Sequence, residues 1–189
     1  METMTKQQSL LSVWVGNLGK YNEGELVGEW LSLPYTEDEF KALLERIGIN
    51  EQYEEYAVFD VDNNTDIDSI DIGIGMNTSL ANCNDIAEAL DSLSTYETKK
   101  LAAVIEAGIY SDGSIEDIKY MIDNLDDYAW HDDINSEYDL GYFYANEIID
   151  IGRFDTVVEE CFDYERYGKD LADELNGYFT SYGWVEKLD

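Results

Sequence analysis

The sequence predicts an α+β protein assembled from small units, and three observations predict it. Strand-like alternation appears in SVWVGNLG (12–19), GEWLSLP (28–34) and YAVFDV (56–61). Apolar residues at helical spacing, preceded by capping residues, lie between and after these strands. The chain is 44% hydrophobic, with 15 Tyr, 6 Phe and 4 Trp, which is enough to build folded cores. A disordered acidic chain would have few aromatics. A length of 189 residues suits one domain or two to three small ones.

The first segment runs to about residue 75. In SVWVGNLG, Val13 and Val15 alternate against Trp14, and Asn and Gly then signal a turn. GEWLSLP carries Trp30, Leu31 and Leu33 and stops at the only proline. Thr36 with Glu39 forms a capping box, and Phe40, Leu43, Leu44 and Ile47 follow at helical spacing until Gly48 ends the helix. YAVFDV then gives a third strand. Residues 76–112 are expected to be helical, with Ile86, Leu90 and Leu93 on one apolar face and Leu101, Val104 and Ile105 on another. Residues 113–189 open on a capping box, Ser114 with Asp117, and a helix through Ile115, Ile118, Ile122 and Leu125. DYAWH (127–131) predicts a short strand. Ser136 and Asp139 cap a helix carrying Leu140, Phe143, Tyr144 and Ile148. A further helix is expected over 163–175, weakened by Gly168, and a closing hairpin or strand over 177–188.

Charge is the anomaly. Asp and Glu total 43 against 11 Lys and Arg, a net charge of −32, where solubility alone needs a magnitude of only about 2–8. Self-repulsion of that size costs folding free energy. The first, second and third segments carry −12, −4 and −16, so the charge is spread over folded elements rather than gathered in a tail. Such a field repels nucleic acid and anionic lipid and attracts basic surfaces. Adaptation to high salt, or simple high solubility, accounts for the composition equally well. No apolar run reaches the roughly 18–20 residues of a membrane span. METMTKQQSLLSVWV lacks the basic and apolar regions of a signal peptide, so none is expected. Cys83 and Cys161 are expected to be reduced thiols.

DVDNNTDIDSID (60–71) raises a metal question. Asp60, Asp62, Asn64, Asp66 and Asp68 fall at positions 1, 3, 5, 7 and 9 of a calcium loop, and Asp71 at position 12. Such a loop needs Gly at position 6 and usually a bidentate Glu at position 12; Thr65 and Asp71 stand there. The preceding EYAVF is strand-like where a helix should enter. A solvated acidic connector is the stronger reading, and no metal or other cofactor is expected. His131 is the sole histidine and builds no multi-histidine site. GIGMN (73–77) lacks the G-x-G-x-x-G of a dinucleotide loop, and there is no P-loop or G-x-S-x-G. The chain does not read as an enzyme. Double-stranded DNA carries one charge per about 1.7 Å of axis. Two copies of this chain would match about 64 phosphates, the scale of a DNA-processing enzyme's footprint.

The residues also resemble a family. WVGNLGKYNEGELVGEWLSLP (14–34), the capped helix after it and YEEYAVFD (53–60) resemble the amino-terminal domain of ArdA-type antirestriction proteins. LAAVIEAG (101–108), DLGYFYANEIIDIGRF (139–154) and FDYERYGKDLADEL (162–175) are similar to that family's central and carboxy-terminal parts. Residues 1–10 lie outside the pattern, and the stretch from Asp62 to Asn84 is less typical of it. The resemblance implies an elongated fold of three small domains, 1–75, 76–112 and 113–189, the last pairing two subunits into a curved acidic dimer. It implies mimicry of bent B-form DNA at the DNA site of type I restriction-modification enzymes, chiefly their methyltransferase core, with inhibition of restriction and modification. It also implies carriage on mobile genetic elements and action in the bacterial cytoplasm, with no nucleic acid or membrane partner.

On that reading the phosphate-mimic candidates are Glu54, Glu55, Asp60, Asp62, Asp66, Asp68, Asp71, Asp126, Asp127, Asp132, Asp133, Glu159 and Glu160. Each reads as well as an ordinary solvated charge. The stretch 139–154 corresponds to the family's antirestriction motif, which the resemblance places at subunit pairing. Tyr142, Phe143, Ile148, Ile149 and Phe154 would bury there, an intramolecular core being the alternative for each. Two other functions stay open: an acidic inhibitor of another DNA-binding protein, and a calcium-binding module.

Overall fold

A computed structural model describes residues 11–63, 78–109, 115–153 and 156–188. The protein is a mixed α+β fold with two small antiparallel sheets. It divides into two compact units, Met1–Leu93 with Asp112–Lys119, and Ser94–Ser111 with Tyr120–Asp189.

In the first unit, β1 (Leu11–Asn17) is the central strand, flanked by β2 (Gly28–Leu33) and β3 (Tyr56–Asn63). Alternation gives the sheet one apolar face: Leu11, Val13, Val15, Leu31, Leu33 and Val58 are buried. A short helix α1 (Leu18–Asn22) follows β1, and α2 (Glu37–Arg46) follows β2. The capping box of Thr36 and Glu39 starts α2 in both directions, and Gly48, at φ +80, closes it in a conformation that favours glycine. Leu43 and Ile47 of this helix region are buried. Asn17 is fully buried and fully used. Its Oδ1 accepts from Lys20 N at 3.0 Å, and its Nδ2 donates to the carbonyls of Ile47 and Gly48 at 3.2 and 3.3 Å. One side chain therefore ties the end of β1 to the end of α2. Helix α3 (Leu80–Asp91), capped by Ser79, buries Cys83, Ile86, Ala87 and Leu90, and its Asn84 accepts from Tyr35 N at 2.8 Å.

The register of β3 shifts between Trp14 and Val15 of β1: Val15 faces Val58 and Trp14 faces Asp60, leaving Phe59 as an extra residue. The extra residue resets the alternation. Val61 pairs with Val13, and Asp60 and Asp62 fall opposite Trp14 and Ser12 on the other face.

The second unit begins with α4 (Thr95–Glu106), which carries a capping box of Ser94 and Glu97 that the sequence reading did not single out. The four-residue strand β4 (Tyr128–His131) pairs with β6 (Gly183–Lys187), and β6 pairs with β5 (Gly177–Thr180) in a closing hairpin. Helix α5 (Ile115–Asp123), which precedes β4 in sequence, spans the division, with the buried Ile118 in the first unit and the buried Met121 in the second. Helix α6 (Glu137–Phe143), capped by Ser136, runs into a π-helical turn, Tyr144–Ile148, then a short helix α7 (Thr156–Glu160) and α8 (Tyr164–Glu174). Ile134, Leu140, Leu171 and Trp184 form the core here, with Phe143, Tyr144 and Tyr167 packed around it.

Gly168 is where α8 approaches α6, rather than a weak point in the helix. A Cβ on Gly168 would strike the Glu137 carbonyl, and one on Gly141 would strike the Tyr164 carbonyl. Only glycine at both positions permits this backbone approach.

Candidate functional site: an acidic and aromatic surface

All ten of the predicted carboxylates within the described residues are exposed. Glu54 and Glu55 lie in the loop entering β3, and Asp60 and Asp62 on the outer face of β3. Asp126 and Asp127 belong to a 3-10 turn, Leu125–Asp127, and Asp132 and Asp133 to the turn after β4. Glu159 and Glu160 lie on α7. None pairs with a lysine or arginine among the described residues; the ion pairs there use Glu23, Glu25, Glu29, Asp85 and Asp150 instead. Asp66, Asp68 and Asp71 lie outside the described residues. The first positions of the calcium-like motif are β3 itself, so strand rather than a helix leads into it. Among the described residues no group of three or more His, Cys, Asp or Glu is gathered to hold a metal ion.

Of the apolar candidates, Tyr142, Ile148 and Ile149 are exposed, Ile148 to 64%. Phe143 is half-buried, its ring 4.6 Å from that of His131 and 5.6 Å from that of Tyr144. Phe154 lies outside the described residues. Tyr138 and Tyr142 join Tyr164 in a ring cluster, and Val157 and Val158 on α7 add further exposed apolar surface.

Two tryptophans that the strand reading had noted, without assigning them a role, also belong to the surface. Trp14 and Trp30 are cross-strand partners on the outer face of the first sheet, with ring centroids 5.7 Å apart and planes at 76°. With Leu26, Phe59 and Asp60 they line an open depression of about 360 Å³. Leu26 is 72% exposed and Trp30 46%. The bulge makes this possible, because it sends Phe59 over Gly16, where an added Cβ would come within 2.5 Å of the ring. The sequence signal was present: both tryptophans are out of phase with the valines and leucines of their own strands.

Ionisable groups inside the protein are few and differently placed. Burial pushes the Cys83 thiol up to about 11, which leaves it un-ionised and unreactive. Burial lowers the Lys100 ammonium, opposed by Asp126 and Glu97. Burial, then the hydrogen bond to Glu186, raises the Tyr144 phenol. Glu186 is 9% exposed. Its carboxylate accepts from Tyr144 Oη at 3.0 Å and from Trp184 Nε1 at 3.0 Å. Tyr144, Trp184 and Glu186 thereby tie the second unit together.

The fold and surface define an acidic α+β protein that carries its charge on folded elements, interleaved with exposed aromatics. The family model for antirestriction protein (ArdA) matches residues 13–186, and the chain belongs to that family. It is an antirestriction protein, with restriction enzymes as its general class of target. No curated protein matches the chain. No described helix is long and apolar enough to cross a membrane.

Proposed function

We propose that this antirestriction protein acts as a mimic of B-form DNA, occupying the DNA-binding site of a type I restriction-modification enzyme at its methyltransferase core. The observation that carries the reading is the set of ten exposed carboxylates, spread over loop, strand, turn and helix, that pair with no lysine or arginine among the described residues. Lysines and arginines that normally meet phosphates would meet these instead. Each exposed pair contributes only about 0.2–1 kcal/mol, so affinity comes from many contacts of similar size. Asp66, Asp68 and Asp71 are proposed as further phosphate mimics. Inhibition of both restriction and modification follows from blocking the shared DNA-recognition core. The protein then works in the bacterial cytoplasm, and a mobile element is its natural carrier.

The working form is proposed to be a homodimer of chains in three parts, 1–75, 76–112 and 113–189, paired through the last. Exposed Tyr142, Ile148 and Ile149, followed by exposed Val157 and Val158, support an apolar contact there. Phe143 and Phe154 are assigned to the same contact. Like-charged subunits repel, so pairing tightens as salt screens them. Ile148→Asp should move the sedimentation profile from dimer towards monomer in about 0.5 M salt. A wild-type monomer at micromolar concentration would count against pairing.

Competition is tested by displacement of labelled target DNA from a type I methyltransferase core. The protein should release the DNA completely, less effectively as salt rises. A ternary complex of enzyme, DNA and this protein would contradict mimicry.

A further inference from the structure

The depression between Trp14, Trp30, Leu26, Phe59 and Asp60 is an unusual feature for a surface whose work is purely electrostatic. A solvated polyanion gains nothing from holding two tryptophans, a phenylalanine and a leucine at its surface, because exposed apolar area of this kind favours association. The apolar side chains are held there by construction. The bulge at Phe59 turns that ring onto the outer face, the Trp pair spans β1 and β2, and the indole of Trp14 lies over Gly28, where an added Cβ would come within 2.7 Å of its Nε1.

We infer that this depression is an arginine-binding site, taking the guanidinium of one arginine on the partner's basic surface against the edge-to-face indole pair of Trp14 and Trp30, with its N–H groups on the Asp60 carboxylate. The inference rests on the reading that the partner presents a DNA-binding surface. Charge complementarity selects the occupant: the chain carries −32, and Asp60 and Asp62 stand beside the aromatics on the same face. The Asp60 carboxylate is oriented by its own backbone, Oδ1 accepting from Val61 N at 2.9 Å, and no lysine or arginine of the described residues pairs with it. Arginine fits better than lysine. Its planar, weakly hydrated guanidinium stacks on an indole face while its edge N–H groups donate to a carboxylate, whereas an ammonium is a compact, strongly hydrated point charge. The site therefore adds one localised anchor to a surface otherwise made of small, equal contacts.

A second depression, about 270 Å³ and lined by Asp133, Asp139, Tyr142, Phe143 and Glu147, has a related make-up but a different state. Asp139 is already engaged as a cap, accepting from Asn135 N and Ser136 Oγ. Asp60 accepts from Val61 N alone among the described residues.

The test is a titration of the isotope-labelled full chain followed by the indole N–H signals of Trp14 and Trp30. The probes are blocked tripeptides with a central arginine, lysine or citrulline, in about 0.3 M salt to screen diffuse attraction. The arginine peptide should shift both signals saturably, and the lysine peptide should bind about tenfold more weakly. The citrulline peptide should not shift them. Asp60→Asn and Trp30→Ala, both at exposed positions, should each weaken the arginine peptide about tenfold. Unchanged Trp130 and Trp184 signals would show that the fold persists. Equal binding of arginine and citrulline would make the site merely apolar, and equal binding of arginine and lysine would make it merely electrostatic. Either result overturns the inference, as does wild-type affinity in both variants. If the peptide fails to bind while the protein still displaces DNA, this site is wrong and the competition stands. If the peptide binds as described and DNA is not displaced, the competition is wrong and the arginine site stands.

Discussion

In the β2-β1-β3 sheet one face is buried and the other meets water, whereas the central strand of β4-β6-β5 is buried on both faces. On β6, Trp184 and Val185 are fully buried and point to opposite sides. Trp184 packs into the core with Leu140 and Leu171, while Val185 shares a face with its cross-strand partner Trp130. On the first sheet, Val13 and Val15 are fully buried, yet Trp14 between them is not. The two sheets consequently use acidic side chains in opposite ways. Asp60 stands out in water beside Trp14 and Trp30, while Glu186 is enclosed, with Tyr144 and Trp184 donating to it. The lesson is that a very acidic composition does not mean every carboxylate is surface charge. One holds the second unit together, and ten of the predicted ones are exposed.

The largest expected effect comes from the glycine approach beneath that enclosed sheet. Gly168→Ala should destabilise the protein by more than about 4 kcal/mol, because backbone of α6 occupies the place of the new methyl group. Urea unfolding measures it; a loss below about 1 kcal/mol would show that α6 and α8 separate easily. Next is the contrast between the two carboxylates. Glu186→Ala leaves a phenol and an indole N–H without their buried acceptor and should cost about 2–4 kcal/mol. Asp60→Asn should stay within about 0.5 kcal/mol. Similar losses in both variants would erase the distinction between the sheets.

A smaller effect concerns Lys100, a buried ammonium at 9% exposure. Its folded pKa is lowered, so folding penalises the charged form. That penalty is fully present below the folded pKa and disappears as pH rises past the unfolded value, near 10.4. Lys100→Met should therefore raise Tm by about 1–3 °C at neutral pH, with the advantage shrinking in alkaline buffer. An advantage independent of pH would point to packing rather than charge.

How much of this was legible beforehand follows from where the signals are local. Val13 and Val15 against Trp14, the box of Thr36 and Glu39, and the cap at Ser136 and Asp139 are short-range patterns, and the corresponding elements formed. The bulge at Phe59 was not legible, because an extra residue is defined only by the partner strand. The acceptor role of Glu186 was not legible either, because it depends on Tyr144, far away in sequence. Gly168 looked like a weak helix position because its reason lies on α6.

The measurement that bears most directly on the central claim is a cumulative neutralisation series. Glu54 with Glu55, Asp126 with Asp127, Asp132 with Asp133 and Glu159 with Glu160 would be changed to Gln or Asn, pair after pair. Each protein would then be assayed for displacement of labelled DNA from a type I methyltransferase core at several salt concentrations. A distributed charge surface predicts that each pair weakens displacement by a similar modest factor, about 0.2–1 kcal/mol per carboxylate, and flattens the salt dependence in step. Loss of all inhibition with one pair, or full inhibition with all eight carboxylates neutralised, would contradict it.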